Sequence, residues 1–271
     1  MNYFELFRES ISLALTNKII LVFGLLSAVI FFIPSSTYFR ENIILICVFL
    51  AIELIIIAVS MIAIAGLIYS VHQIIVSKEV SFSEGWAKGR SSFLRIFLLI
   101  ILLIPFILVG TIIGYLFLTN SQESLLIWLS IYVLGIMYAS LYIFGTCAIV
   151  IDDLSSIKAI WTGLLITLKN FLRLLLISGI FISLEILALG SIFVILLLIP
   201  LQLNLPDPFP FNFSSYQAVL RVPVMDWAGR LVNTVFLPWS IIAYTIAYIK
   251  FTNAHSYPTL KAKRETESEL I

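Results

Sequence analysis

Six stretches of this chain stay apolar for the thickness of a bilayer or close to it, and this decides what the chain can become. They run from Ile19 to Pro34, Ile43 to Val76, Phe93 to Leu118, Leu125 to Ile151, Phe171 to Ile199 and Trp227 to Ile249, with at most two charged side chains in each. A helix needs about 20 apolar residues to cross the hydrocarbon core. None of the six alternates with the period of two that a membrane barrel requires. Composition points the same way: 61% of residues are hydrophobic and 11% charged, against about 25% charged in an average soluble domain. Such a chain cannot clothe itself in polar surface. A water-soluble enzyme, a disordered protein and a nucleic-acid binder are excluded, and two cysteines exclude a disulfide scaffold. The sequence predicts an all-α, polytopic transmembrane bundle of six crossings over residues 1–251, followed by a mobile, charged tail at 252–271.

The second run is too long for one bilayer. At 1.5 Å per residue it spans about 50 Å against a core of about 30 Å. It either continues into water, carrying Tyr69, His72 and Gln73, or it tilts.

Lysine and arginine set the orientation. Arg8, Lys18, Lys78, Lys88, Arg90, Arg95, Lys158, Lys169, Arg173, Lys250, Lys261, Lys263 and Arg264 share one side, leaving Arg40, Arg221 and Arg230 for the other. The bias recurs in every loop, so the chain is expected in the cell membrane with both termini cytoplasmic. No small-residue cleavage site follows the first run, so it is expected to remain as a crossing.

Three segments repeat one plan: an amphipathic stretch, a polar junction, then an apolar helix. They begin at Phe4, Ser81 and Ser155, with junctions Thr16-Asn17-Lys18, Ser91 to Arg95 and Lys169 to Arg173. A repeat of this length holds one pair of crossings, so the three copies face one way, a pseudo-threefold repeat of helix pairs. In the third copy Leu154, Ile157, Trp161, Leu164, Leu165 and Leu168 fall on one face, and Asp152 or Asp153 is the expected cap. In the second, Phe82, Trp86 and Phe93 form the apolar side behind Ser81 or Ser83. In the first, Phe4, Phe7, Ile11 and Ala14 do. Such stretches lie in the headgroup plane, with Trp86 and Trp161 as interfacial anchors. They either orient the crossing that follows or offer a surface to lipid headgroups or a protein partner.

The segments Phe82 to Arg95 and Ile151 to Arg173, with the whole-chain topology, resemble a broad family of prokaryotic six-helix membrane proteins. That family is related to the membrane domain attached to some glycerophosphoryl diester phosphodiesterases. No counterpart of the soluble barrel that performs the phosphodiester chemistry in those two-domain relatives is expected within these residues. The resemblance therefore implies a fold and carries over no catalytic residue.

Glu53 and Glu185 are the anomalies. Each lies well inside its crossing, where an acidic residue costs about 3 kcal/mol and normally faces protein or a water-filled cavity. They form either a proton- or cation-handling pair or two separate inter-helix bonds. Gly110 and Gly114 make a G-x-x-x-G pair suited to close helix packing, and Pro105 and Pro238 are expected kinks. Cys47 and Cys147 fall near opposite faces and cannot bridge. His72 and His255 stand without ligand-spaced partners, and no hydrolase, zincin, nucleotide or dinucleotide motif is present. The proline- and phenylalanine-rich segment Leu201 to Asp226, with a sequon at Asn212, is expected to cap the outer face. These readings predict neither cofactor nor metal nor enzymatic activity. Three function classes follow: a non-enzymatic component organising membrane lipids or a membrane-protein partner, a small-solute or ion transporter using Glu53 and Glu185, and an intramembrane enzyme acting on lipid.

Overall fold

A computed structural model describes residues 3–32, 43–76, 78–120, 124–202 and 223–268. Among them are eight α-helices and no strand: α1 Tyr3–Thr16, α2 Lys18–Ala28 with a 3-10 turn Val29–Phe32, α3 Ile43–Ile75, α4 Phe82–Asn120, α5 Ser124–Val150, α6 Ser156–Lys169, α7 Phe171–Gln202 and α8 Pro223–Ser268. Stretches of α3, α4, α5, α7 and α8 are each long and apolar enough to cross a membrane, and α1 and α2 together pass the same test across a 94° bend. The chain is a multi-pass helical membrane protein. The surroundings of Gly110 and Gly114, and residues 203–222 of the Leu201 to Asp226 segment with its sequon at Asn212, lie outside the described residues.

Two of the three polar junctions break the helix, and asparagine does it both times. At Asn17 the side-chain oxygen accepts from the backbone N–H of Ile19 (3.0 Å) and Ile20 (3.3 Å), capping α2. At Asn170 the side-chain amide donates to the Ile166 carbonyl (3.1 Å), and its oxygen accepts from Arg173 (3.2 Å). The middle junction does not break, and α4 runs unbroken through Ser91 to Arg95. No asparagine stands there; Ser91 donates to the Lys88 carbonyl within the helix (2.9 Å), a back-bond that leaves the ladder intact. The start of α4 is a capping box, the Ser81 hydroxyl accepting from Glu84 N–H (3.3 Å) and the Glu84 carboxylate from Ser81 N–H (3.1 Å).

Helices α3, α5 and α8 touch one another at the centre. Helix α2 packs on both α3 and α8, α4 on both α3 and α5, and α7 on both α5 and α8. Glycine permits the closest approaches. A methyl on Gly66 would come within 2.5 Å of the Phe23 ring and one on Gly85 within 2.6 Å, so Phe23 of α2 fills the notch between α3 and α4. A methyl on Gly89 would strike the Ile62 carbonyl. Between α5 and α6, one on Gly163 would lie 3.1 Å from the Gly145 nitrogen and the Leu141 carbonyl, and one on Gly145 would meet Leu99.

Burial is graded along the bundle. At the end where the basic residues gather, Ala63, Leu67, Ile68, Ile96, Leu99, Phe144, Leu174, Ile177 and Tyr248 are buried. Toward the other end the same helices open, leaving Leu54, Ile55, Phe106, Ile186 and Leu187 57–67% exposed. So wide an apolar surface is what lipid covers.

Candidate functional site

The open half holds both intramembrane carboxylates. Along α3, Cys47, Val48, Leu50, Ala51, Ile52, Leu54 and Ile55 are exposed, whereas Phe49, Glu53 and Ile56 are half-buried and Ser60 is buried. That spacing of three and four is one helix face, and it points inward. Along α7, Ser178 and Phe181 are buried, Glu185 is half-buried on the same face, and Ile186 and Leu187 look out. Both carboxylates thus face the bundle rather than lipid. Among the described residues α3 and α7 share no substantial packed interface, so helix packing does not pair the two carboxylates.

Between that half and the basic end runs a seam of hydroxyls on α8. The Tyr244 and Ser178 hydroxyls bond each other, the Cys147 thiol lies 3.9 Å from the Thr245 oxygen, and the Tyr248 hydroxyl donates to the Asp152 carboxylate. These contacts fasten α5, α7 and α8. Inter-helix polar bonds in membranes average about 0.6 kcal/mol apiece.

At the basic end the α5–α6 connection is clamped by α4. The Arg95 guanidinium donates to the Asp153 carboxylate (2.8 Å) and to the Asp153 carbonyl (3.1 Å), while Lys88 meets the same carboxylate at 3.2 Å. The Ser156 hydroxyl donates to the Arg95 carbonyl (2.7 Å). Asp153 carries φ 57°, the left-handed region that aspartate tolerates better than most residues. Hydrogen bonds from Arg95 and then Lys88 hold its carboxyl below the usual carboxylate range. Neither aspartate caps α6, contrary to the sequence expectation; Ser155 occupies the cap position without a side-chain bond, because both acids are engaged by other helices.

The tryptophans differ. Trp161 is 62% exposed on α6, beside Ile157, Leu165 and Leu168 at 53–62%, while Ser156, Ala159, Gly163, Ile166 and Thr167 are turned in. Trp86 is half-buried at the end of a stack, 5.9 Å from Phe82, which lies 4.8 Å from Phe23. In α1 the buried residues are Leu6 and Ser10, while Phe4 and Ile11 look outward, 75% and 39% exposed. Phe7 packs inward on Phe181 and Trp239. Among the described residues no three His, Cys, Asp or Glu side chains gather as a metal would need.

Sequence reasoning missed the Arg95–Asp153–Lys88 clamp and the Tyr248–Asp152 bond. It also passed over Gly85 and Gly89, a G-x-x-x-G pair on α4 that could have been read by the rule applied to Gly110 and Gly114. No protein family, curated protein or solved structure matches the chain.

Proposed function

We propose that this chain is a non-enzymatic component of the cell membrane that organises lipid or a membrane-protein partner through amphipathic stretches ringed around its cytoplasmic end. In this reading it crosses six times in three like-oriented units, related to the six-helix family, with both termini inside. The unit repeat is supported by the glycine contacts. Phe23 against Gly66 recurs as Leu99 against Gly145, and the position of Gly85 recurs as Gly163, which packs on Gly145 and Leu141, each about 76–79 residues further on. It is supported as well by the three central helices α3, α5 and α8, which receive the start of α4, α6 and α1 respectively.

The observation that carries the function is the surface of α6. Ile157, Trp161, Leu165 and Leu168 form an exposed apolar stripe. At about 100° per residue, Lys158 and Lys169 both fall roughly 60–80° to one side of Trp161, and both are exposed. Small residues on the remaining face lie against α5. A helix apolar toward lipid, basic along one edge and glycine-smooth toward its own bundle suits the boundary of acyl chains and headgroups. The test keeps Trp161 as the sole tryptophan, with Trp86, Trp128, Trp227 and Trp239 replaced by Phe, in reconstituted vesicles. Lipids brominated near the headgroup should quench it strongly and aqueous acrylamide weakly. The reverse order overturns the reading.

One observation favours a transporter instead: Glu53 and Glu185 both occupy inward faces of the open half. That reading requires a flux that Glu53→Gln or Glu185→Gln abolishes.

A further inference from the structure

Three seams join an amphipathic stretch to a central helix: the start of α4 on α3, α6 on α5, and α1 on α8. Glycine seals the first two, Gly85 and Gly89 against α3 and Gly163 against Gly145. The third has no glycine at the contact. Aromatic rings occupy it: Phe7 lies 6.0 Å from Trp239, whose indole N–H donates to the Ser10 hydroxyl at 2.8 Å. Beside this wedged seam a cleft of about 610 Å³ lies between α1, the end of α3 and α8. Its walls carry Glu5, Arg8, Glu9 and Lys250 around an apolar floor that includes Ile74 and Ile75. Lys250 and Glu9 pair at 2.7 Å; among the described residues, Arg8 and Glu5 carry no ion pair.

We propose that this cleft binds the headgroup of a phospholipid bearing both a phosphate and a primary ammonium, that is, phosphatidylethanolamine. The inference rests on the threefold reading above, which makes the seam of α1 the one of three equivalents that no glycine closes. The wall charges cancel, two of each sign, so a purely anionic headgroup would meet Glu5 and Glu9 and a purely cationic one Arg8 and Lys250. A headgroup of both signs sets its phosphate on Arg8, which can donate to it bidentately, and its ammonium on Glu5. A primary ammonium has three N–H donors for carboxylates, whereas a trimethylammonium has none. Ile74 and Ile75 take the first apolar part of the lipid.

The experiment offers the full chain, purified in detergent, an equal mixture of phosphatidylethanolamine, phosphatidylcholine and phosphatidylglycerol and reads retained lipid by native mass spectrometry. Phosphatidylethanolamine should be retained at least tenfold over each of the others. Arg8→Gln and Glu5→Gln should each remove most of that preference, Arg8→Lys should keep more of it than Arg8→Gln, and Lys78→Gln, an exposed lysine outside the cleft walls and outside the amphipathic stretches, should leave it unchanged. Equal retention of the three lipids, or equal loss in Lys78→Gln, overturns the proposal. Displacement of the lipid by an equal concentration of soluble phosphoethanolamine overturns the commitment to a membrane source. With Cys47 and Cys147 replaced by Ser, Glu9→Cys and Lys250→Cys in one chain should cross-link through a short bismaleimide. Failure to cross-link sinks the seating of α1 on α8 and with it the threefold reading, whereas cross-linking without lipid preference sinks the cleft alone.

Discussion

Arg95 of α4 holds Asp153 by both its side chain and its main chain, at 2.8 and 3.1 Å, across 58 residues of sequence. One cation thereby fixes the bend between α5 and α6, and the bend sets the direction in which the Trp161 stripe faces. The left-handed conformation of Asp153 is the local strain that this grip sustains.

Replacing Asp153 tests grip and strain separately. Asp153→Ala loses the acceptor and keeps a Cβ in the left-handed region, a conformation unfavourable by about 1–2 kcal/mol. Asp153→Gly loses the acceptor and relieves the strain, so its melting temperature should lie above that of the alanine variant. The carboxyl is held below its ordinary pKa in the folded state, so its contribution is complete above about pH 3.9. It is lost as pH falls from there through the lowered folded value. Asp153→Asn should flatten that part of the pH–stability curve, and an unchanged curve would show that Arg95 and Lys88 do not act on the carboxylate.

The glycines give a second contrast. Gly89→Ala puts a methyl on the Ile62 backbone and Gly163→Ala puts one against Gly145 and Leu141, so both should destabilise by about 1–3 kcal/mol. Gly135, Gly190 and Gly229 face open space, and alanine there should be neutral or better by up to about 1 kcal/mol through helix propensity. Thermal melts of the five variants in one detergent decide it. Equal losses at all five would mean that α3–α4 and α5–α6 are not the tight seams.

Helix class and the presence of several membrane-length apolar helices were legible because charge depletion over bilayer lengths has one physical solution, a helix with its backbone bonds satisfied internally. The faces were legible only in part. In α6, four residues of the stripe read from the sequence, Ile157, Trp161, Leu165 and Leu168, face outward, whereas Leu154 and Leu164 pack against the core. In α1 periodicity grouped Phe4, Phe7, Ile11 and Ala14, yet Leu6 and Ser10 go in while Phe4 and Ile11 go out. Where lipid and protein are both apolar, hydrophobic periodicity does not distinguish them. Arg95–Asp153 and Tyr248–Asp152 were invisible for another reason: they join positions 58 and 96 residues apart, and no local spacing encodes them.

The charge at α6 can be reversed on either side of its lipid boundary. Trp161→Glu places a carboxylate within the apolar stripe, whereas Lys158→Glu places one at its basic edge. The first should reduce membrane assembly or thermal stability more than the second, because only the first buries a charge among acyl chains. Comparable effects would mark α6 as a solvated segment.

Orientation is tested by labelling. With Cys47 and Cys147 replaced by Ser, single cysteines at Ser121 and Ser215 should react with an impermeant maleimide on intact cells. Cysteines at Ser155 and Thr266 should react only after permeabilisation. Labelling at Thr266 from outside breaks the reading of six crossings.

The last test separates the two functional readings at Glu53 and Glu185. Both carboxylates face inward from helices that share no substantial packed interface among the described residues. Glutamine keeps their size and a hydrogen-bonding head but cannot ionise or exchange a proton. If they serve packing alone, Glu53→Gln and Glu185→Gln should leave the melting temperature nearly unchanged. Alanine should then be worse by about 1 kcal/mol, the scale of a lost buried bond. Distant sites without shared partners add to within about 0.5 kcal/mol, so the double glutamine variant should equal the sum of the singles. A larger coupling would mean that the two side chains meet, directly or through water, and would shift the balance toward transport. The decisive companion is a pH-gradient assay in proteoliposomes: wild-type vesicles should dissipate the gradient no faster than those bearing the double glutamine variant. A wild-type flux that either single variant removes, with the fold intact, would replace the organising role by a proton- or cation-coupled one.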